Sequence, residues 1–285
     1  MAVILDGRAL AAELREEVAA RAAALRERGV APRLVVVLVG DDAPSHAYAR
    51  QIANAGAKAG VEVATETLAA TATEDALRAR LRALGEDPLV HGIILQQPLP
   101  AHLEMRRVAD AIAAAKDVDG ANPLNLGRLA AGAGTALVAA TPSAVMLLLE
   151  RSARAELRGA RACVVGRSSV VGLPVALLLL ARDATVTVAH SKTRDLAART
   201  READVLVVAA GRPGIVGAGH VKPGATVIDV GTTYVGAKML GDVDYDAVAN
   251  VAGAITPVPG GVGPVTNVAL LRNVIDAAER AGRSG

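Results

Sequence analysis

The sequence contains no Phe and no Trp, and its aromatic side chains are limited to Tyr48, Tyr234 and Tyr245. A core must therefore be assembled from Ala, Val, Leu and Ile, and a platform of stacked rings for single-stranded nucleic acid is excluded. Cys163 is the only cysteine, so no intrachain disulfide can form. Its setting in Ala162-Cys163-Val164-Val165 marks a small buried hydrophobe in place of a reactive thiol. Neither sign of charge dominates: 31 Lys and Arg against 29 Asp and Glu leave a formal charge of +2. The charges fall in mixed stretches such as Arg15-Glu16-Glu17, which fit solvated helix faces and not a basic stripe for nucleic acid. Long apolar runs are missing too. The most apolar segment, 170–181, carries Gly172 and Pro174 and is too short to cross a bilayer. The start, Met1-Ala2-Val3-Ile4-Leu5-Asp6, lacks the basic and apolar regions of a signal peptide. The expected compartment is the cytoplasm, with neither membrane nor nucleic acid as a partner.

The 285 residues, 52% of them hydrophobic, suffice for one large domain or two ordinary ones. Apolar runs alternate with helical periodicity from end to end, the pattern of an α/β protein. A helix is expected over 9–28, closed by Gly29, then a strand over 34–39, whose unbroken apolar run suits a parallel strand buried on both faces. A helix over 45–59, a strand over 61–68, a helix over 73–84 and a strand over 92–96 follow. The stretch 117–140 reads as loop-rich, and the domain change is placed there. Thr141 is the expected N-cap of the next helix, with Pro142 at its first position. Strands over 161–165, 185–189, 205–210 and 226–230 then follow in the manner of a dinucleotide-binding sheet. A last helix over 265–281 is expected to return to the first domain. The expected division is thus 1–140, completed by a helical segment 265–285, and 141–264.

The first strand of the second half runs into Gly166-Arg167-Ser168-Ser169-Val170-Val171-Gly172-Leu173-Pro174. Glycines at such a turn let main chain approach a pyrophosphate, and the next helix offers N–H groups and a positive dipole end. The spacing is not G-x-G-x-x-G, and a plain structural turn explains it as well. The second strand says more. Enzymes that use NAD usually carry an acid at its end for the ribose 2′-hydroxyl, whereas this chain has Ala189-His190-Ser191-Lys192-Thr193. A hydroxyl and a cation, with Arg167 as a second cation, suit a 2′-phosphate and point to NADP. The competing reading is a polar loop.

Several peptides then resemble those of the methylenetetrahydrofolate dehydrogenase/cyclohydrolase family. They are Val39-Gly40-Asp41-Asp42 with Ser45 and Tyr48, Gln96-Gln97-Pro98-Leu99-Pro100, Lys116-Asp117-Val118-Asp119-Gly120, and Asn125-Leu126-Gly127. The second half adds the Gly166 loop, His190-Ser191-Lys192-Thr193, Asp229-Val230-Gly231, Gly241-Asp242-Val243-Asp244 and Thr256-Pro257-Val258-Pro259-Gly260-Gly261-Val262-Gly263-Pro264. The motifs keep the family's order and spacing over about 39–266.

The resemblance implies two domains with a cleft between them, a homodimer, NADP as cofactor and no metal. It also implies hydride transfer from 5,10-methylenetetrahydrofolate to NADP, followed in bifunctional members by hydrolysis of the methenyl cation to 10-formyltetrahydrofolate. It places Asp119 on the pterin, where a carboxylate accepts from ring N–H and amino donors. Gln96 falls at the reacting centre and Tyr48 along the folate, with Leu95, Gln97 and Pro259, Gly260, Gly261, Val262 and Gly263 around the substrate. Pro259 to Gly263 also reads as an inter-domain hinge. The cofactor set is Gly166, Arg167, Ser168, Val171, Gly172, His190, Ser191, Lys192, Ala210, Gly211, Gly231 and Thr232.

The departures are specific. Pro-Cys-Thr-Pro of the family reads Ala139-Ala140-Thr141-Pro142, Ala121 replaces a larger residue, and Thr232 stands where Ile is frequent. The departure with chemical weight is at position 52, where the family's catalytic lysine in Tyr-x-x-x-Lys becomes Ile52 in Tyr48-Ala49-Arg50-Gln51-Ile52. Three readings follow: a dehydrogenase with weak or absent cyclohydrolase activity, a fully bifunctional enzyme with another group in the lysine's role, and a non-catalytic homologue that binds NADP and folate.

Overall fold

The structure, a computed structural model, describes residues 2–134, 136–152, 155–236 and 238–282. The strands in chain order are β1 (Val3–Ile4), β2 (Arg33–Val39), β3 (Glu62–Leu68), β4 (Gly92–Leu95), β5 (Arg161–Val165), β6 (Thr185–Ala189), β7 (Val205–Val208), β8 (Thr226–Asp229), β9 (Thr233–Val235), β10 (Lys238–Leu240) and β11 (Ala254–Ile255). The helices are α1 (Gly7–Glu27), α2 (Ala43–Ala59), α3 (Glu74–Glu86), α4 (Met105–Val108), α5 (Pro123–Ala130), α6 (Ala140–Glu150), α7 (Gly172–Leu180), α8 (Leu196–Thr200), α9 (Tyr245–Val248) and α10 (Val262–Ala281).

Two compact units result. One holds the residues through Ala12 with Thr141–Thr266, the other Glu13–Ala140 with the residues from Asn267 onward. The expected assignment of the N-terminus to the first domain is corrected by β1, which pairs in parallel with β11 and so joins the nucleotide-type sheet. Its two residues, Val3 and Ile4, are too short a run to announce a strand.

The unit built around Glu13–Ala140 carries a parallel sheet in the order β3-β2-β4. The central strand β2 is Arg-Leu-Val-Val-Val-Leu-Val, buried from Leu34 onward, as a strand covered on both faces must be. The edge strand β3 exposes Glu62, Thr65 and Thr67 and half-buries Val63, Ala64, Glu66 and Leu68. Thr73 caps α3 by accepting from Ala76 N–H at 3.2 Å, and Leu77, Leu81 and Leu84 bury the face that helical spacing lines up. In the 117–140 stretch expected as loop, Asn122 caps α5 and Pro123 opens it. In α10, Asn273 Nδ2 donates to the carbonyls of Val118 and Val138, both at 2.8 Å, so the last helix braces the loop that holds Asp119.

The other unit carries the sheet β1-β11-β8-β7-β5-β6, parallel throughout. The short strands β5, β7, β8 and β11 fill its centre, and Cys163 on β5 is buried among their apolar side chains. Burial pushes its thiol up to about 11, which keeps it protonated and inert. Two expected strands end early, β7 at Val208 and β8 at Asp229. Thr141 is no N-cap: α6 already begins at Ala140, and Thr141 and Pro142 lie inside its first turn. Among the described residues no helix is long and apolar enough to cross a membrane.

Candidate functional site

In the unit around Glu13–Ala140 the candidate groups gather at the C-terminal ends of the strands. β4 ends at Leu95, and Gln96 and Gln97 follow. Opposite them α2 begins: Asp42 caps it, its Oδ2 accepting from Ser45 N–H at 2.9 Å and from Ser45 Oγ at 2.6 Å. The Ser45 hydroxyl bond holds the Asp42 carboxyl below its ordinary range. Ser45 Oγ is also 3.3 Å from the Gln97 carbonyl, and Gln96 Nε2 donates to the same carbonyl at 2.8 Å. The start of α2 and the end of β4 are thereby stitched together.

Tyr48, one turn into α2, is half-buried, and its phenol is pushed up to about 12 by lost hydration and by the charge of Asp119. Asp117 and Asp119 are alternate residues with opposite lives. Asp117 is buried and engaged: it accepts from the N–H groups of Ala121 (3.0 Å) and Asn122 (2.8 Å) and from Asn125 Nδ2 (3.1 Å). Burial still raises it above the usual carboxylate range. No hydrogen bond reaches the Asp119 carboxyl among the described residues. Solvent touches Asp119, yet protein crowds it closely, and that loss of hydration, with Asp117 adding a like charge, raises it to about 7. Asp117 shapes the loop, and Asp119 is left with its oxygens unspent.

Ile52 lies one turn beyond Tyr48 and is 3% exposed, on the α2 face formed with Ala49, Gly56 and Ala59. Arg50 and Lys58 are exposed on other faces of α2. The lysine expected from the family pattern has no substitute cation on this face of the helix.

In the other unit, β5 runs into the Gly166 loop and then α7. Gly166 has φ +136°, and a Cβ there would lie 2.2 Å from the Ala209 carbonyl oxygen. At Gly172 a Cβ would lie 2.3 Å from the Gly166 carbonyl oxygen. These glycines are thus demanded first by the loop's own packing against the end of β7. Ser168 Oγ closes the turn, accepting from Val171 N–H (3.2 Å) and Gly172 N–H (3.3 Å). Register puts Val165 beside Ala189, so the Gly166 loop and the His190 loop leave the sheet side by side. The second loop is held by Thr193 Oγ1, which accepts from His190 N–H at 2.8 Å, and by His190 Nδ1, which accepts from Lys192 N–H at 3.2 Å. Arg167, Ser191 and Lys192 are all exposed there. A tight glycine loop flanked by two exposed cations, with no acid at the end of β6, fits a dinucleotide bearing an extra phosphate.

Two buried acids organise the neighbouring loops, a role not visible from the motifs. Asp229 Oδ1 accepts from Gly231 N–H (2.9 Å) and Asp242 N–H (3.0 Å), and its Oδ2 from Val243 N–H (3.0 Å). Burial raises Asp229 to about 6 although those three bonds pull it down. Asp242, fully buried, accepts from the N–H groups of Ala210 (2.6 Å), Gly211 (2.8 Å) and Arg212 (2.7 Å). The amides of Ala210, Gly211 and Gly231, expected at the cofactor, are therefore spent on carboxylates, and their carbonyls and Cα atoms are what remain to face a ligand. Thr232, also expected there, is exposed beside Gly231. Replacing Asp242 by Ala leaves three N–H donors without a partner, at about 1–3 kcal/mol each where water does not reach them. A melt of Asp242→Ala should fall by several degrees and that of Asp242→Asn by less; an unchanged melting temperature would refute the bracing role.

Pro259 to Gly263 belongs to this second unit. Gly260 has φ +114°, and a Cβ on Gly7 would lie 1.7 Å from the Gly261 carbonyl oxygen, so β1 and α1 enter against this turn. Val262 and Gly263, expected in the turn, already form the first residues of α10. No group of three or more His, Cys, Asp or Glu that could hold a metal ion occurs among the described residues.

Residues 5–119 match the tetrahydrofolate dehydrogenase/cyclohydrolase catalytic domain, and residues 139–282 match the NAD(P)-binding domain of the same family. The chain belongs to the tetrahydrofolate dehydrogenase/cyclohydrolase family. Among its relatives, the bifunctional protein FolD of Parafrankia sp. (strain EAN1pec) is 54% identical over 96% of this chain and 98% of its own. Of solved structures, the Campylobacter jejuni bifunctional enzyme FolD, a methylenetetrahydrofolate dehydrogenase/cyclohydrolase, matches with TM-score 0.95 and 39% identity over 98% of this chain and 99% of that one. The Trypanosoma brucei methylenetetrahydrofolate dehydrogenase-cyclohydrolase, complexed with NADP and an inhibitor, matches with TM-score 0.93 and 41% identity over 99% of each chain. In this family's terms the Asp119 unit is the catalytic domain and the Gly166 unit the NAD(P)-binding domain.

Proposed function

We propose that this chain oxidises 5,10-methylenetetrahydrofolate to the 5,10-methenyl cation with NADP, and that it is a poor cyclohydrolase because Ile52 replaces a proton-transferring lysine. The observation that carries the first half is Asp119, an acid with no hydrogen bond to its carboxyl among the described residues, beside Tyr48 in the family's catalytic domain. Ionised, it accepts from the pterin N–H and amino donors. Tyr48 lies along the folate, and Gln96 and Gln97 approach the reacting carbon from the end of β4, with Leu95 beneath. Pro259 to Gly263 supplies main chain to the substrate. Bound NADP supplies the hydride acceptor, and the chain's part is to hold its phosphates at Gly166, Ser168 and Gly172 and its 2′-phosphate at Arg167, Ser191 and Lys192. His190, Val171, Ala210, Gly211, Gly231 and Thr232 complete that site. The methylene carbon gives up a hydride with its electron pair and becomes the cation, a step that asks for alignment more than for acid or base.

Mixing the protein with NADP and 5,10-methylenetetrahydrofolate should yield NADPH. A folded protein that binds both and yields none is the non-catalytic homologue instead. The fully bifunctional reading is favoured by the names of the relatives and by Asp119, whose pKa of about 7 suits proton transfer. Arg167→Ala should raise the apparent constant for NADP about tenfold and leave that for NAD nearly unchanged, since a charged hydrogen bond is worth about 1.5–3 kcal/mol and exposure weakens it. Equal effects on both cofactors would remove Arg167 from the 2′-phosphate.

A homodimer is part of the proposal. The edge strand β6 leaves Val188 37% exposed, and the adjoining α7 leaves Leu173 39% and Leu180 53% exposed, a small apolar surface beside unpaired strand groups. A second copy covering this edge predicts that Val188→Lys shifts the mass seen by light scattering to that of a monomer. An unshifted dimer would place the contact elsewhere.

A further inference from the structure

In the catalytic domain a cavity of about 610 Å³ opens where the parallel strands begin, at the end of the sheet opposite Gln96. The four residues of β4 separate His91 from Gln96, five steps of about 3.3 Å or about 16 Å in all. The cavity has an apolar floor that includes Val30, Val90 and Ala277, and a rim bearing Lys116, Arg128 and Arg280. His91, 7% exposed, also lines it. The Nδ1 of His91 accepts from Arg33 N–H at 3.2 Å, so in the neutral ring the proton sits on Nε2, which has no partner among the described residues. Burial and nearby Lys116 pull its pKa down, with Asp87 opposing, and keep the ring in that neutral, donating form. Lys116 gives one of its three protons to the Asp87 carbonyl at 2.7 Å and keeps two. Asp87, whose charge bears on Lys116, has its Oδ1 engaged by Leu89 N–H at 2.9 Å.

We propose that this cavity is a second ligand site, for a small organic oxyanion: a phosphate or carboxylate on an apolar body. The volume lies within the usual range of small-molecule pockets, and the lining has their usual composition, mostly apolar with a few convergent donors. Every polar side chain on the rim is a donor, and carboxylate or phosphate oxygens are the acceptors that such a set selects. The apolar floor adds preference for a ligand with a hydrocarbon or ring portion over the inorganic ion. The site stands apart from the activity proposed above and does not depend on it.

The test is isothermal titration of the full chain in the presence of NADP, which occupies the other phosphate-binding loop. Phenyl phosphate, benzoate, inorganic phosphate and benzyl alcohol are the probes. One of the two aromatic anions should bind with a Kd below about 1 mM, more tightly than inorganic phosphate, while benzyl alcohol does not bind. The tighter of the two identifies the oxyanion. Arg128→Glu should weaken that binding at least about tenfold, as the loss of a charged hydrogen bond requires. Ala281→Phe, which fills the cavity and leaves every charge in place, should do the same. Absence of binding by both anions, or binding to both variants as tight as to the wild type, would overturn the proposal.

Discussion

Ile52→Lys should raise the rate of 5,10-methenyltetrahydrofolate hydrolysis by about 10²–10⁴-fold, the usual contribution of a positioned acid–base group. Tyr48 and residue 52 are four positions apart on α2, so their side chains share a face and a lysine there lies beside the phenol ring. Hydration of the cation needs protons moved from the attacking water and onto the departing ring nitrogen. Ile52 has none to exchange. The position is buried, and an amine placed in it loses hydration, which lowers its pKa toward the range where both protonation states are populated. Arg50 is no substitute: it is exposed, and a guanidinium stays protonated. Burying a charge also costs stability, so the melt of the variant is read beside its rate. Ile52→Gln is the control, polar and of similar length but unable to titrate. A gain with Lys and none with Gln assigns the effect to proton transfer; equal gains assign it to water access and contradict this account.

Asp119→Asn should weaken folate binding about 10- to 150-fold, equivalent to about 1.5–3 kcal/mol for a hydrogen bond to a charged group, and leave NADP binding nearly intact. The amide swaps one acceptor oxygen for a donor that opposes the pterin's own donors. The raised pKa adds a pH signature. In the free protein Asp119 is protonated below about 7, and the proton must leave before the carboxylate can accept two donors. Folate affinity therefore rises with pH through about 7 and levels off above it, by up to about tenfold per unit on the acid side. In Asp119→Asn that dependence should vanish. Titration calorimetry from about pH 6 to 8 reads both effects, and unchanged affinity, or a slope that survives the substitution, would contradict the role.

The parts of the fold that could be read from sequence were those whose signal is local. The run at 34–39 is apolar at every position, as suits a strand covered on both faces, the strand expected over 92–96 forms over 92–95 and stops short of the polar Gln96, and β5 to β8 alternate with helices as a wound sheet requires. What escaped was set by distant partners. Val3 and Ile4 become a strand only because β11, some 250 residues on, offers an edge. The hairpin of β9 and β10 is three residues a side and mostly exposed, with little hydrophobic pattern to find.

The site divides in the same way. Asp119, Gln96 and the Gly166 loop stand out because their motifs are contiguous. Asp229 and Asp242 lie within quoted motifs, but their work is to hold the main-chain N–H groups of other loops, and no residue type marks an amide as the partner. The contrast of Asp117 and Asp119 is of the same kind. Asn122 and Asn125 hinted at a capped loop, yet only geometry shows which acid is consumed in shaping it.

The proposed weakness of the cyclohydrolase step at Ile52 is tested by one comparison within a single sample of wild-type protein. NADPH formation from 5,10-methylenetetrahydrofolate and the decay of added 5,10-methenyltetrahydrofolate are followed in parallel, and the buffer rate is subtracted from the latter. Rapid hydride transfer is expected, with methenyl decay close to the buffer rate. Enzymatic decay that keeps pace with NADPH formation would contradict it.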